Sequence, residues 1–375
     1  MSGSSYAELQ YRIALTMTPA IGPISARKLI SKAGSAREVF RMSRASLETI
    51  PSIGPLMSQS IIGSALLKQA ALEMKFLEKH HISALYFEDE QYPARLRECE
   101  DAPILLYTKG DKGLHAKHAL SVVGTRKASS YGKEICRSII LDLGSMIGDL
   151  VIISGLAFGI DVIAHRASLE GGIPTVAVLG HGFTTIYPHA HRETAKKICG
   201  LGALVTDFHS GMGPERNNFL RRNRIIAGLA DATLVVESAR KGGALITADM
   251  ASSYQREVLA VPGRVTDERS EGCNRLIRSN AAAMVESAKD IIDQLNWNDD
   301  MVQVPQRLSE KPVFTTQEKQ LLELLRSHNG LDPGDLSLHS GIPIQVVLSL
   351  LTQMELKRWV LVEPGNQYQT LINLS

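Results

Sequence analysis

Between residues 121 and 263 the chain repeats one pattern. A nearly continuous apolar run breaks into a polar loop carrying glycine, and the loop opens a segment of helical period. The apolar runs fall at residues 120–123, 151–154, 175–179, 203–206, 233–236 and 258–261, and all are rich in β-branched residues. Runs apolar at successive positions, rather than alternating, predict strands covered on both faces. Helical period marks residues 132–143, 161–169, 192–199, 222–227 and 244–253. Strands alternating with helices predict an α/β architecture: βαβ crossovers and a doubly wound, Rossmann-like sheet whose ligand edge lies at the carboxyl ends of its strands. Every glycine loop falls on that edge, so backbone N–H groups and helix N-termini converge where an anion would sit, phosphate above all.

The flanks follow other rules. Residues 1–81 are helical in period and carry two similar segments, TPAIGPISARKLI and IPSIGPLMSQSII, each placing Ile-Gly-Pro before a helix. That is the layout of a helix-hairpin-helix (SAM-like) domain, with Gly22 or Gly54 at the tight turn and helix N–H groups free for a DNA phosphate. A pair of plain helix connections fits the same text, and the few basic residues, Arg27 and Lys28 after the first copy, make any DNA role auxiliary. The Rossmann-like domain is expected over residues 82–297, beginning with strand-like text. A linker, rich in polar residues and proline, follows at 298–312. Residues 313–375 then read as three short helices and a hairpin turning at Gly365 and Asn366, the layout of a winged helix. Its third helix, residues 343–357, is dominated by Val, Leu and Met, which favours a packing or protein-contact module over a DNA reader.

Composition narrows the classes. With 375 residues, 44% hydrophobic and 21% charged, the chain can bury a large core, and a net charge of +2 leaves any nucleic-acid binding to local clusters. Cys99, Cys136, Cys199 and Cys273 form no CxxC pair, which argues against a zinc site or a disulfide framework and fits a reducing cytoplasm. No metal or other cofactor is expected. The first residues lack a basic and then apolar signal, and no run reaches the roughly 18 apolar residues of a membrane span; a soluble, unexported, cytoplasmic chain is the expectation.

The loops carry the chemistry. A Walker GxxxxGK[ST] is absent, and Gly155, Ala157 and Ile160 stand where a dinucleotide fingerprint would hold glycines. The loop GTRKASSYG sets Arg126 and Lys127 beside Gly124 and the hydroxyl of Thr125, offering charge and short donors in one turn. In SGLAFGIDVIAH, Ser154 and Gly155 precede a kink at Gly159, and Asp161 suits an N-cap. His165, four residues on, suggests local hydrogen bonding more than acid–base chemistry. The segment ERNNFLRRNRIIAG is the strongest nucleic-acid signal: Arg216, Arg221, Arg222 and Arg224 surround Phe219, with Asn217, Asn218 and Asn223 interleaved. Phosphate contacts and a stacking platform would then occur together. In the competing arrangement Phe219 enters the core and the arginines meet carboxylates such as Glu237. The loop VVESARKGGALITA adds Lys241, Gly242, Gly243 and Thr247 at the start of another helix.

In this order, GTRKASSYG, SGLAFGIDVIAH, AVLGHGFTTIYP, FLRRNRIIAGLA, GGALITA and AVPGR closely resemble the DNA-processing protein A (DprA, or Smf) family. The resemblance implies a cytoplasmic single-stranded DNA-binding protein that protects incoming DNA in natural transformation, helps load the RecA recombinase and forms a homodimer, with no catalysis. It places DNA-binding residues at Gly124, Thr125, Arg126, Ser154, Gly155, Ala157, Gly159, Phe219, Arg222, Asn223, Arg224, Gly242, Gly243 and Thr247, and the loop chemistry above adds Lys127, Arg216 and Lys241. Thr206, Asp207 and Phe208 depart from the family's usual serine–glutamate pair, Gly242 replaces a frequent serine, and Ser279, Asn280 and Ala281 replace a glycine–alanine ending. The competing class is a nucleoside-monophosphate phosphoribohydrolase of related fold, which uses PGGxGTxxE; here KGGALITAD lacks the glutamate.

Overall fold

The structure, a computed structural model, describes residues 3–62, 64–301, 314–328, 330–357, 359–363 and 365–370. All but the first four residues of the expected linker therefore lie outside the described residues. Two compact units result, residues 1–303 and 304–375, and each stands by itself below.

The first unit is built on a nine-stranded sheet. Its strands are β1 (Ser83–Tyr86), β2 (Leu105–Lys109), β3 (His118–Val123), β4 (Leu150–Ser154), β5 (Thr175–Val178), β6 (Ala203–Thr206), β7 (Ala232–Val235), β8 (Glu257–Ala260) and β9 (Ala283–Met284). The spatial order is β1-β2-β6-β5-β4-β3-β7-β8-β9. Pairing is parallel from β6 through β9 and antiparallel only for β1 with β2 and β2 with β6. The apolar runs have their cause in the two layers of helices. Along β3, Leu120 and Val122 enter one core while Ala119 and Val123 enter the other. The first core is closed by the helices Ser130–Met146, Ile160–Glu170 and Ala288–Gln294; the second is closed by Arg216–Gly228, Gly243–Ser253 and Glu271–Arg278. Such two-sided burial is the doubly wound arrangement.

The N-terminal helices do not form a separate core. Ile13, Leu15, Leu29 and Leu47 pack in one cluster with Tyr86 of β1 and with Leu105 and Tyr107 of β2. The change of pattern at residue 82 is thus a change of secondary structure inside one packed unit. Within the helical part, the role expected of two glycines is corrected. Gly22 and Gly54 have φ of −89° and −93° and serve as N-caps, with open space around each. The left-handed turn is taken two residues earlier in both copies, by Ala20 (φ 64°) and Ser52 (φ 74°).

The second unit holds the helices Thr316–Ser327, Pro333–Ser340 and Ile344–Leu356 and the hairpin Val360–Glu363 with Gln367–Thr370. Thr315 and Glu318 cap the first helix reciprocally. Gly365 and Asn366 both adopt positive φ, 94° and 60°, as the hairpin turn demands. This is the winged-helix fold that the sequence predicts. On its third helix Ile344, Val346, Leu348 and Leu356 stay exposed while Val347, Leu351 and Met354 fill the core.

Candidate nucleic-acid interface

The chain crosses the sheet from β3 through β4 and β5 to β6, then returns to lay β7 beside β3. This reversal parts the loops that follow β3 and β7, and in open α/β sheets such a point holds the ligand. Here it opens a cleft of about 720 Å³.

Its first wall is the loop after β3. Thr125 donates its N–H to the Glu237 carbonyl at 2.8 Å and accepts at its own carbonyl from Ile160 N–H at 3.2 Å. Two glycines make this interlocking possible. A Cβ on Gly124 would lie 2.5 Å from Ile160 Cγ1, and one on Gly159, whose φ is +78°, would lie 2.1 Å from the Thr125 carbonyl oxygen. The loop therefore has no freedom beneath, and Arg126 is presented exposed on the cleft wall. Glu237 is buried and has no ion pair with an arginine among the described residues; its carboxylate accepts from the N–H of Ser129 at 2.9 Å and from the Ser129 hydroxyl.

The second wall is the helix Arg216–Gly228, which begins six residues before the predicted start. Arg216, Phe219, Leu220, Asn223 and Ile226 all line the cleft, at the i, i+3, i+4, i+7 and i+10 spacing of one helical face. Phe219 is half-buried against Gly180, where a Cβ would come within 2.6 Å of its ring. Its ring centroid lies 5.5 Å from that of Tyr187, which also lines the cleft. The Arg126 and Arg222 guanidinium carbons sit 5.9 and 5.8 Å from the same Phe219 centroid.

The third wall is the start of the helix Gly243–Ser253. Gly242 is its N-cap, and a Cβ there would lie 2.1 Å from Ser238 Oγ. Lys241 and Gly243 are exposed on the cleft, and Thr247 lines it one turn further in. The N–H groups of Gly242 and Leu245 are taken by the carbonyls of Ala239 and Gly242, at 3.0 and 3.2 Å, and the positive end of the helix macrodipole borders the cavity, where it favours negative charge.

Several sequence-predicted residues have other tasks. Arg222 lines the cleft but is 3% exposed, and its Nη1 donates to the carbonyls of Gly155, at 2.6 Å, and Val178. Burial pushes its pKa down to about 10, against the pull of the nearby Asp161 carboxylate. Arg224 is a correction: it points away from the cleft, is buried, and pairs with Asp207 while donating to the Asp101 carbonyl. Ser154 is corrected too, since it is fully buried and donates to the Val122 carbonyl at 2.6 Å. Gly155 and Gly159 act as supports beneath the cleft, not as its surface; Ala157 does line it. Lys127 is exposed beside the cleft, its N–H held by Thr125 Oγ1 at 3.2 Å. The N-cap expected at Asp161 falls on Gly159, and Asp161 is instead a buried cleft residue whose pKa burial raises against Arg222. Arg221 leaves the cleft and stacks on Phe208 at 5.2 Å. Sequence reasoning missed Tyr187, Leu220 and Ile246; helical spacing from Arg216 through Phe219 pointed to Leu220, whereas Tyr187 sits in the long loop after β5, nine residues past its end.

His165 does not pair with Asp161. Its Nδ1 meets Thr175 Oγ1 at 2.7 Å and its Nε2 is buried without a partner among the described residues. Burial, with Arg222 and His191 nearby, pushes its pKa down to about 3. An unfolded imidazole takes a proton near pH ~6.5, so below that pH the unfolded chain binds more protons than the folded one. Stability should therefore fall by about 1.4 kcal/mol per pH unit from this group as pH drops below 6.5. Urea denaturation of wild type and His165→Gln at neutral and mildly acidic pH should show a shallower decline in the variant; parallel declines would contradict the assignment.

Among the described residues no cluster of His, Cys, Asp and Glu could hold a metal ion, and no helix is long and apolar enough to cross a membrane.

Residues 83–296 match the family model of the DNA recombination-mediator protein A. The chain belongs to this DprA family. Residues 303–366 match the DprA winged helix domain. Protein Smf of Escherichia coli is 36% identical over 295 residues, which cover 76% of each chain. A putative DNA processing protein DprA of Mycobacterium tuberculosis is 31% identical over 335 residues, 84% of this chain and 85% of that one. The solved DprA of Streptococcus pneumoniae superposes with a TM-score of 0.63 at 29% identity, covering 76% of this chain and 97% of that one. The DprA of Helicobacter pylori, solved for its single-stranded DNA binding mode, has a TM-score of 0.52 at 26% identity, covering 58% and 96%.

Proposed function

We propose that this DprA-family chain binds single-stranded DNA in the switch-point cleft, without regard to sequence and without covalent chemistry. It serves there to protect incoming DNA in natural transformation and to help load the RecA recombinase, as a cytoplasmic homodimer. One observation carries the binding reading. Arg126, Arg216 and Lys241, all exposed and without an ion pair among the described residues, converge with Phe219, Tyr187 and the N-terminus of the helix Gly243–Ser253 in one cavity. Cations and N–H groups take phosphate, and aromatic faces take any base, so neither demands a sequence. The single-stranded DNA binding of the Helicobacter pylori relative supports it. Partnership with RecA and with a second copy of the chain rests on the family resemblance.

The enzyme reading finds less. Asp161 is the carboxylate of the cleft wall, and it is buried beneath the loop it supports, hydrogen-bonded from Ala157 N–H at 3.4 Å. A labelled mixed-sequence oligonucleotide should show saturable binding by anisotropy while incubation with nucleoside monophosphates or the oligonucleotide releases no free base. Release of base at a steady rate, without saturable oligonucleotide binding, would reverse the assignment.

A further inference from the structure

The loop after β4 presents one side chain that the cleft does not use. It turns through Leu156, whose φ is 58°, and Gly159, whose φ is 78°. A left-handed leucine is costly and persists only where its surroundings hold it. Here Leu156 is fully buried, and its carbonyl accepts from His191 Nδ1 at 2.8 Å. Between the two left-handed residues, Ala157 lines the cleft and Phe158 stands 47% exposed. A Cβ on Gly159 would come within 2.8 Å of Arg126 Cα, so Phe158 is seated one residue from the backbone that carries Arg126.

The ring is fixed in place. It meets His191 edge to face, with centroids 4.8 Å apart and planes at 69°, and His191 is itself buried. His191 also opens the helix Arg192–Leu201. His189, Arg192 and Lys196 follow the i, i+3 and i+7 spacing of one helical face, and all three are exposed. Glu193 is the one acidic residue of that helix, yet neither Arg192 nor Lys196 has an ion pair among the described residues. Two residues before His189 the chain passes through Tyr187, which lies in the cleft.

A fixed aromatic ring beside unpaired cations, at the rim of a cleft suited to phosphate and base, has the chemistry of a further nucleotide position. We propose that a single strand leaving the cleft past Tyr187 stacks its next base on Phe158 and sets the following phosphate on Arg192, with Lys196 one turn beyond. This rests on the cleft reading above and extends it to a second subsite. A protein partner is the less suitable occupant, because one exposed ring bordered by cations is not the apolar core on which such contacts are built.

The test titrates the full chain, at graded salt, with oligothymidylates of roughly 4 to 16 nucleotides, the span of single-strand site sizes. Wild type should bind longer strands more tightly. In Phe158→Ala the shortest strand should bind as in wild type. The longest should bind roughly 5- to 150-fold more weakly, the loss of one stacked base, with an unchanged salt slope. Arg192→Gln should instead lower the salt slope for the longest strand by about 0.7, for the one phosphate no longer neutralised. Phe158→Tyr keeps the ring face and should bind every length as wild type does. A ring that only packs on His191 would not produce this dependence on length. Equal weakening of Phe158→Ala at every length would make the residue a support for the Arg126 loop and overturn the subsite. No weakening at any length would leave the ring to a partner other than nucleic acid and overturn it too. Wild-type affinity that ignores length would overturn the subsite alone. No wild-type binding at any length would remove the cleft reading as well.

Discussion

Replacing Arg222 by methionine is expected to lower the unfolding free energy by about 3–5 kcal/mol, the range for removing one partner from a buried charge arrangement. The guanidinium ties the carbonyl of Gly155, just after β4, to that of Val178 at the end of β5, and it lies under Phe219 with its charge acting on the buried Asp161. Methionine fills similar volume but leaves two buried carbonyls without this donor and Asp161 without its strongest counter-charge. Its pKa, already raised by burial, should rise further, so the variant should lose less of its remaining stability in mild acid than an ionised Asp161 would imply. Arg222→Lys should recover part of the loss, because the charge returns while the forked geometry does not. Urea denaturation measures both. A loss under about 1 kcal/mol, the scale of one ordinary hydrogen bond, would show that the clamp is not what holds the strand ends together.

Phe219→Ala should weaken single-stranded DNA binding by roughly 5- to 150-fold, the equivalent of about 1–3 kcal/mol for one stacked base. The effect should be similar for every base composition and should leave the salt slope unchanged, since every phosphate keeps its cation. Phe219→Tyr should restore most of the affinity by returning a ring face beside Tyr187. Competition titrations with pyrimidine and purine oligonucleotides, at two salt concentrations, check all three points. Weakening confined to one base would make Phe219 a reader of sequence, and an unchanged affinity would mean that its ring only packs on Gly180.

Strands were legible because burial on both faces leaves a signature in composition: β3 to β8 lie within three residues of the apolar runs. The short β9 was not, since Ala283–Met284 has no length in which to show a pattern. The switch point was legible only as a set of glycine loops on one edge. What placed them together, the return of β7 to β3, depends on long-range pairing that no local window carries. Arginine roles were the least readable. Arg216, Arg222 and Arg224 share one short segment, yet successive residues of a helix diverge by about 100°. One therefore reaches the cleft surface, one becomes a clamp beneath it, and one crosses to Asp207 on the far side. Ser154 misled for a related reason: a hydroxyl at the last position of a buried strand satisfies itself on the neighbouring strand's carbonyl. The N-terminal Gly-Pro turns misled in the opposite direction, because the left-handed residue stands two positions before the glycine.

The central claim is that the cleft holds the sugar-phosphate backbone of a single strand at Arg126. Fluorescence anisotropy of a labelled mixed-sequence single strand and of its duplex, at two salt concentrations, with wild type and Arg126→Ala, tests it most directly. Tight, salt-sensitive binding that prefers the single strand is expected in wild type. In the variant it should be weakened alike for all sequences, with the salt slope lowered by about 0.7 for the one phosphate that Arg126 no longer neutralises. An Arg126→Ala variant with wild-type affinity and slope, or a wild type that binds no strand at low salt, would contradict it.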